Sequence, residues 1–274
     1  MDYHVPSVAL AAQALKLLSR HKYKCCSLKV IAEKLEASPT TCLRVLRTLE
    51  HEGFVRFDQA TKMYSLGPYL IPLGNRAAEL NDAITRASHE IKRIAALTGL
   101  TTGLLQRWDD RLVYIASAEP PAENVRLSIS VGQATPLASG AHGRCFLAFD
   151  DEAEWQRFIA AGLRPITQAT ITDPNHFVKA LREVRRNGYA VSHGEFNPGF
   201  SAVDVPIFGK TGRVELVISC MCVTAQLDDE RLAAVVKLLR ATARKLSEWS
   251  GYPEQWSADM AFADLPDRPS EVVV

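Results

Sequence analysis

The sequence predicts an α+β chain in two parts: a small helical segment closed by a β-hairpin, then a larger domain built on an antiparallel sheet. Three observations carry this. Three short helical patterns precede two brief β-like runs within residues 1–67. Apolar residues then recur at helical spacing from Leu70 to Ile94. Beyond Gly99, strands and helices follow one another without regular alternation, which favours α+β over a parallel α/β plan. At 274 residues, 47% of them hydrophobic and 23% charged, the chain is long and apolar enough for two cores.

Val8 to Ser19 repeats apolar residues with helical period and reads as the first helix. Ser27 is placed to cap a second, with Leu28, Ile31, Ala32 and Leu35 on one face. After Glu36-Ala37, the pair Ser38-Pro39 supplies a capping hydroxyl and a proline at the first helical position. This third helix runs to about His51 and stops at Gly53. Phe54–Phe57 and Met63–Leu66 flank a polar tip and read as a hairpin. Leu70, Leu73, Ala77, Leu80, Ile84, Ala87, Ile91 and Ile94 form a seam spaced alternately by three and four. Such a seam suits a subunit contact over at least its first half, or one or two helices packed on their own domain. Strands are expected at Thr101–Trp108, Arg111–Ser117, Val125–Ser130, Tyr189–His193, Ala202–Phe208 and Arg213–Val223. Helices are expected at Ala138–Phe149, Glu152–Ala161, His176–Asn187 and Asp228–Ser250. The proline-bearing stretch 251–274 reads as a loosely held tail. The resulting division is 1–67, a linker helix over 68–84, a domain over 85–250, and the tail.

The net charge of +1 conceals an asymmetry: residues 1–75 hold ten Lys/Arg against six Asp/Glu. The basic surplus falls on the helical segment, as it should if that part meets phosphates. No apolar run reaches membrane-spanning length. The basic residues near the start follow the apolar stretch instead of preceding it, the wrong order for a secretory leader. The six cysteines form no C-x-x-C pair and lie in apolar surroundings. They read as reduced, mostly buried thiols of a cytoplasmic protein.

Three helices and a hairpin are the parts of a winged helix-turn-helix. On the third helix Cys42, Val45, Leu46 and Leu49 cluster on one side, which must face the core. Thr40, Arg44, Arg47 and His51 fall opposite. That stripe suits a major groove, where arginine grips guanine and threonine meets a phosphate or a thymine methyl. Ser38, Thr40 and Thr41 sit at the helix start, which enters deepest, and Leu43 lies at the stripe's edge. Arg56 and Lys62 on the wing are placed for backbone phosphates. The opposing reading is an ordinary solvated helix face.

From these residues onward the chain resembles the IclR family of transcriptional regulators, over roughly residues 7–250. In the first part the resemblance rests on Ser38-Pro39-Thr40-Thr41 with Arg44 and Leu46, on Glu52-Gly53-Phe54-Val55, and on Tyr64-Ser65-Leu66-Gly67-Pro68. In the second it rests on Val131-Gly132, Pro136-Leu137, Ala141-His142-Gly143-Arg144, Phe146-Leu147-Ala148 and Gly188-Tyr189-Ala190-Val191. Glu195 through Ala202, Pro206-Ile207-Phe208 and Gly212-Arg213 complete it. The resemblance implies a GAF-like effector domain, a linker helix that helps the chain dimerise, and often a dimer of dimers. Positions matching the family's effector pocket are Arg126, Gly140, Ala141, Ser192, Glu195, Ala202, Ser219 and Met221. Arg144 stands where lysine is common, and Cys220 and Cys222 bring thiols to a strand usually rich in Ser and Gly.

The pattern independently supports a pocket. Ser219 and Met221 share one strand face while Cys220 and Cys222 share the other. Gly140 and Ala141 offer small side chains and free amides, though close packing alone would also explain them. Arg126, if it points inward, is a counter-charge for an organic acid. Pairing with Glu123 or Glu195, or exposure to solvent, are the alternatives. Enzymatic readings fare poorly. Gly209-Lys210-Thr211 imitates a phosphate loop, but Asp204 stands where its first glycine belongs, and no G-x-S-x-G occurs. His193 and Glu195 lack a third metal ligand, and Ser139 with His142 would need an orienting acid. The expectation is a DNA-binding regulator, a homodimer or dimer of dimers, with double-stranded operator DNA and a small-molecule effector as partners, and with no cofactor, metal or membrane. A winged helix used for protein contacts, or an enzyme, are the alternatives.

Overall fold

The computed structural model describes residues 5–121 and 127–252. They form two compact units divided between Asn81 and Asp82, inside the stretch expected as a linker.

The first unit opens with α1 (Pro6–Leu18), whose first position is proline, where a missing N–H costs nothing. A two-residue strand, β1 (Cys26–Ser27), leads into α2 (Leu28–Lys34), and Ser27 accepts the Val30 amide. The turn to α3 (Pro39–His51) passes through Glu36 at φ +51°. Ser38 Oγ caps α3 by accepting the Thr41 amide at 3.2 Å; such caps contribute about 1 kcal/mol. The wing, β2 (Val55–Asp58) and β3 (Met63–Leu66), is an antiparallel hairpin to which β1 adds a third strand in the order β1-β3-β2. Leu18, Ile31, Cys42, Leu46, Val55 and Tyr64 form the common core. The unit ends with α4 (Leu70–Glu79), on which Ile71 and Leu73 are exposed, as is Leu80 just beyond it.

The second unit begins with α5 (Asp82–Thr98), then β4 (Thr101–Trp108), β5 (Arg111–Ala118) and the short β6 (Ala134–Pro136). Three helices follow, α6 (Gly140–Leu147), α7 (Glu152–Ala161) and α8 (Pro174–Asn187). The remaining strands are β7 (Ala190–His193), β8 (Phe200–Phe208) and β9 (Val214–Val223), and α9 (Asp229–Trp249) closes the unit. The sheet order is β6-β5-β4-β9-β8-β7, and every neighbouring pair is antiparallel. On one face α5 and α9 bury Ile91, Ile94 and Leu239 against Val203, Val205, Ile218 and Cys220. On the other, α6, α7 and α8 bury Cys145, Trp155 and Leu181 with Leu105, Tyr114 and Val217.

Two expectations need correcting. The strand expected at Val125–Ser130 is absent over 127–130, which run as irregular chain. Their carbonyls are instead held by side chains: Thr101 Oγ1 donates to Leu127 at 2.6 Å and Ser117 Oγ to Ile129 at 3.1 Å. The edge strand is β6, whose Ala134 and Pro136 pair with Val113 and Arg111; proline is tolerated there because an edge needs fewer donors. The seam is two helices in series, one of the arrangements its spacing allows. It breaks at Leu80-Asn81, and only its second half, with Ala87, Ile91 and Ile94, is buried in the second unit. Tyr252, expected in the tail, is buried and stacks on Phe208 at 5.0 Å. Val125 and Arg126 lie outside the described residues, as does the tail from 253 onward.

Candidate DNA-reading surface and effector cavity

The α3 helix is divided as its pattern requires. Cys42, Leu46 and Leu49 are buried, whereas Ser38, Thr40, Thr41, Arg44, Arg47 and His51 are exposed and Leu43 is half-buried. Ser38 and Thr41 hydroxyls bond each other at 2.8 Å, so the cap is built at the edge of the exposed face. No ion pair among the described residues engages Arg44. Arg47 is less free: it lies 3.8 Å from Glu50 and over the Phe57 ring at 5.9 Å. On the wing Arg56 is exposed on β2 and Lys62 sits at the tip with φ +58°. The tip is held by Asp58, whose carboxylate accepts the Ala60 and Thr61 amides at 2.8 and 3.0 Å. Those backbone hydrogen bonds keep its carboxyl below the usual range.

In the second unit a cavity of about 110 Å³ lies on the sheet face that carries α6. Its walls include Tyr114 on β5, Leu127 and Ile129 from the irregular chain, His142 on α6, Phe196 from the 194–199 loop, and Phe200 on β8. Of the expected effector residues, Ser192, Ala202 and Met221 line it. Strand register brings these together: Ala202 stands opposite Ser192 on one side and Met221 on the other. Ser219 follows on the same face, opposite Asp204, and is fully buried. Gly140 and Ala141 are buried at the start of α6 and are not among the lining residues. Gly140 adopts φ +66°, a conformation that favours glycine. Arg126 lies outside the described residues.

Glu195 has a different engagement. Its two carboxylate oxygens accept from Arg144 at 2.6 and 2.8 Å, and Arg144 also donates to the Val191 carbonyl at 2.6 Å. Both side chains are buried, so this fork ties the 194–199 loop to α6 and leaves the carboxylate committed. The Glu195 carbonyl is held as well, by Thr167 and Thr170 hydroxyls.

Sequence reasoning missed a buried polar pair beside this cavity. His142 Nδ1 stands 3.4 Å from Asp204 Oδ2, and Asp204 is fully buried on β8. Hydrogen-bonding geometry is not met there, and both Asp204 oxygens, both His142 nitrogens, Thr135 Oγ1 and Ser219 Oγ have no hydrogen-bond partner among the described residues. Burial, then the Asp204 charge, hold the Tyr114 hydroxyl neutral far above its ordinary range. One signal was available: Asp204 is the only charged residue in the apolar run Ala202–Phe208. His142 thus has the acid that a catalytic reading wanted, but Ser139 is spent, donating to the Pro136 carbonyl at 2.7 Å. His193 likewise bonds Ser201 at 2.8 Å, and no cluster of three metal-ligating side chains occurs among the described residues. No disulfide joins any cysteines among the described residues. Cys25 is exposed, and burial pushes the Cys220 thiol up to about 12.

A winged helix-turn-helix joined to an antiparallel-sheet domain with an internal cavity is the build of a ligand-responsive transcription regulator. Residues 76–248 match the family model for the bacterial transcriptional regulator IclR C-terminal domain, and residues 7–59 match the IclR helix-turn-helix domain. The chain belongs to the IclR family of transcriptional regulators, which are DNA-binding proteins and not enzymes. The HTH-type transcriptional regulator KdgR of Escherichia coli (strain K12) is 30% identical over 223 residues, 81% of this chain and 84% of that one. The crystal structure of an IclR transcriptional regulator from Alicyclobacillus acidocaldarius is 54% identical with a TM-score of 0.88, covering 91% of this chain and all (100%) of that one. An IclR homologue from Microbacterium hydrocarbonoxydans, solved in complex with 4-hydroxybenzoate, shares the fold at 19% identity, with a TM-score of 0.76 over 89% of this chain and 98% of that one. No described helix is long and apolar enough to cross a membrane.

Proposed function

We propose that the chain is a cytoplasmic regulator that reads a palindromic operator as a homodimer or dimer of dimers and is switched by a small organic acid in the second unit. The observation that carries the operator reading is the exposed polar face of a capped α3, with Arg44 outside any ion pair of the described residues. Thr40, Thr41, Leu43 and Arg44 are assigned to the major groove, and Ser38, Arg47, Arg56 and Lys62 to phosphates at its edges. The exposed Leu73 and Leu80 support a subunit contact through the α4 segment.

Ser192, Ala202 and Met221 are assigned to the effector, and Ser219, Gly140 and Ala141, buried outside the lining, to the support of its walls. Arg126, outside the described residues, is kept as a proposed counter-charge on the resemblance alone, and the engagement of Glu195 by Arg144 supports a role in shaping the wall. The complex of the Microbacterium homologue with 4-hydroxybenzoate, a small acid, is in keeping with this class.

Fluorescence anisotropy on the chain's own upstream DNA and on random duplex tests the operator reading. Arg44→Ala should cost about 1–3 kcal/mol on the specific site and much less on random DNA. Equal losses on both would make Arg44 a phosphate contact, and binding insensitive to salt would count against DNA binding by this face altogether.

A further inference from the structure

We infer that the cavity takes a small carboxylate through the His142–Asp204 pair, and that His142 takes up a proton as the ligand binds. This rests on the effector reading above and adds the group that recognises the ligand.

The cavity's described lining contains no arginine or lysine, and His142 is the one lining side chain there that can become positive. Its ring sits at the wall, 6.3 Å from the rings of Tyr114 and Phe196, which also line the space. Behind it Asp204 is fully buried, and among the described residues neither oxygen is hydrogen-bonded and His142 Nδ1, at 3.4 Å, is the basic group in ion-pair range. A buried carboxylate in that state is costly, and a second anion entering the cavity raises the cost until a proton is added between the two.

The groups facing His142 are few. Asp204 comes from β8, and the neutral Tyr114 hydroxyl from β5. Thr135 on β6 lines the same cavity, and Ser219 on β9 stands opposite Asp204. On α6 itself, Arg144 is spent on Glu195 of the 194–199 loop, and the Cys145 thiol donates to the Asp204 carbonyl. The charge on His142 is therefore governed, among the described residues, by Asp204 and by whatever fills the cavity.

A neutral imidazole would leave an anionic ligand facing a second buried negative charge. A protonated one alternates the charges, with Nδ1–H directed to Asp204 and Nε2–H left for the ligand carboxylate. The proton comes from solvent and no ligand bond is broken. At about 110 Å³ the space is of the order of the roughly 150 Å³ void that accepts benzene, which limits the acid to a compact one.

Isothermal titration calorimetry of the full chain tests this with lactate, pyruvate, benzoate and 4-hydroxybenzoate, and with lactamide and benzamide as uncharged counterparts. Titrations in phosphate and in Tris, from about pH 6 to about pH 8.5, read the protons exchanged. At least one acid should bind and its amide should not. Binding should be accompanied by net proton uptake, and affinity should fall as pH rises. His142→Gln should abolish the uptake and flatten the pH dependence, and Asp204→Asn should reduce both. Binding without proton uptake by the wild type overturns the inference, a measurement that needs no variant to fold. Binding by the amides alone, or by none of the acids, overturns it too.

Ala202→Leu, which fills the cavity, separates the two readings. If acids bind that variant unchanged, the effector site itself is misplaced. If Ala202→Leu abolishes binding while His142→Gln keeps both affinity and proton uptake, only the role of His142 falls.

Discussion

Replacing Arg144 with methionine isolates the fork that ties α6 to the 194–199 loop. The substitution removes three hydrogen bonds of 2.6 to 2.8 Å. The Glu195 carboxylate would be left in a site where the two side chains are only 6% and 8% exposed. Removing one partner of a buried pair costs about 3–5 kcal/mol, because the remaining charge has no compensation. Against a typical domain stability of about 5–15 kcal/mol, that is a large share. The double variant Arg144→Met/Glu195→Gln removes the orphaned charge as well. It should recover about 2 kcal/mol or more of the loss, since neutral replacements of buried pairs are often tolerated. All four tryptophans lie beyond residue 82, so urea unfolding followed by tryptophan fluorescence reports on the second unit alone. Because Glu195 adjoins Phe196 in the cavity wall, the single variant should also weaken any ligand-induced rise in Tm. A cost below about 1 kcal/mol for Arg144→Met, or a double variant equal to the sum of its singles, would refute the buried-charge argument.

Other consequences follow from local geometry. A Cβ at Gly143 would stand 1.8 Å from the Leu137 carbonyl oxygen, so Gly143→Ala must push α6 off its turn. We expect a loss of about 1–3 kcal/mol or more, and an unchanged urea midpoint would show that the helix can shift freely. Leu73→Glu with Leu80→Glu should shift the sedimenting species toward a single chain and weaken operator binding with it; a wild type that already sediments as a monomer at micromolar concentration would contradict the proposed subunit contact. Glu154 is held at about 2 by hydrogen bonds from Arg157 and then Arg107. Its folded-state value lies below the unfolded one, so its contribution is present above about pH 4.5 and is lost as pH falls toward 2. Glu154→Gln should therefore lower the urea midpoint at neutral pH and leave it nearly unchanged near pH 2. An equal drop at both would mean that packing, not charge, is what the side chain supplies.

How far the sequence could be read depended on whether an interaction was local. Ser27 and Ser38-Pro39 announce α2 and α3 because a cap acts on amides three residues away. The wing follows from two short runs and a polar tip. β1 went unseen because two residues carry no period and its partners, Tyr64 and Met63, lie far along the chain. Leu127 and Ile129 alternate like a strand, yet hydroxyls of Thr101 and Ser117 occupy their carbonyls. The seam at 70–94 kept its spacing through a break, since a three–four period says that a face is apolar but not what covers it. The cavity shows the same limit. Parity alone puts Ser219 and Met221 on one face of β9 and the thiols of Cys220 and Cys222 on the other, and the two cores divide accordingly. What parity cannot supply is the partner across space. Arg144 finds Glu195 from 51 positions away, and His142 finds Asp204 only because α6 crosses the face that Asp204 shares with Ala202. Asp204 was nonetheless visible in principle. A carboxylate in a continuous apolar strand is seldom left without a compensating group, and the same parity that grouped Ala202 with the pocket puts Asp204 on that face. The charged residue read as a defect in a phosphate-loop pattern is better read as a demand for a cation, and α6 brings the histidine that can meet it.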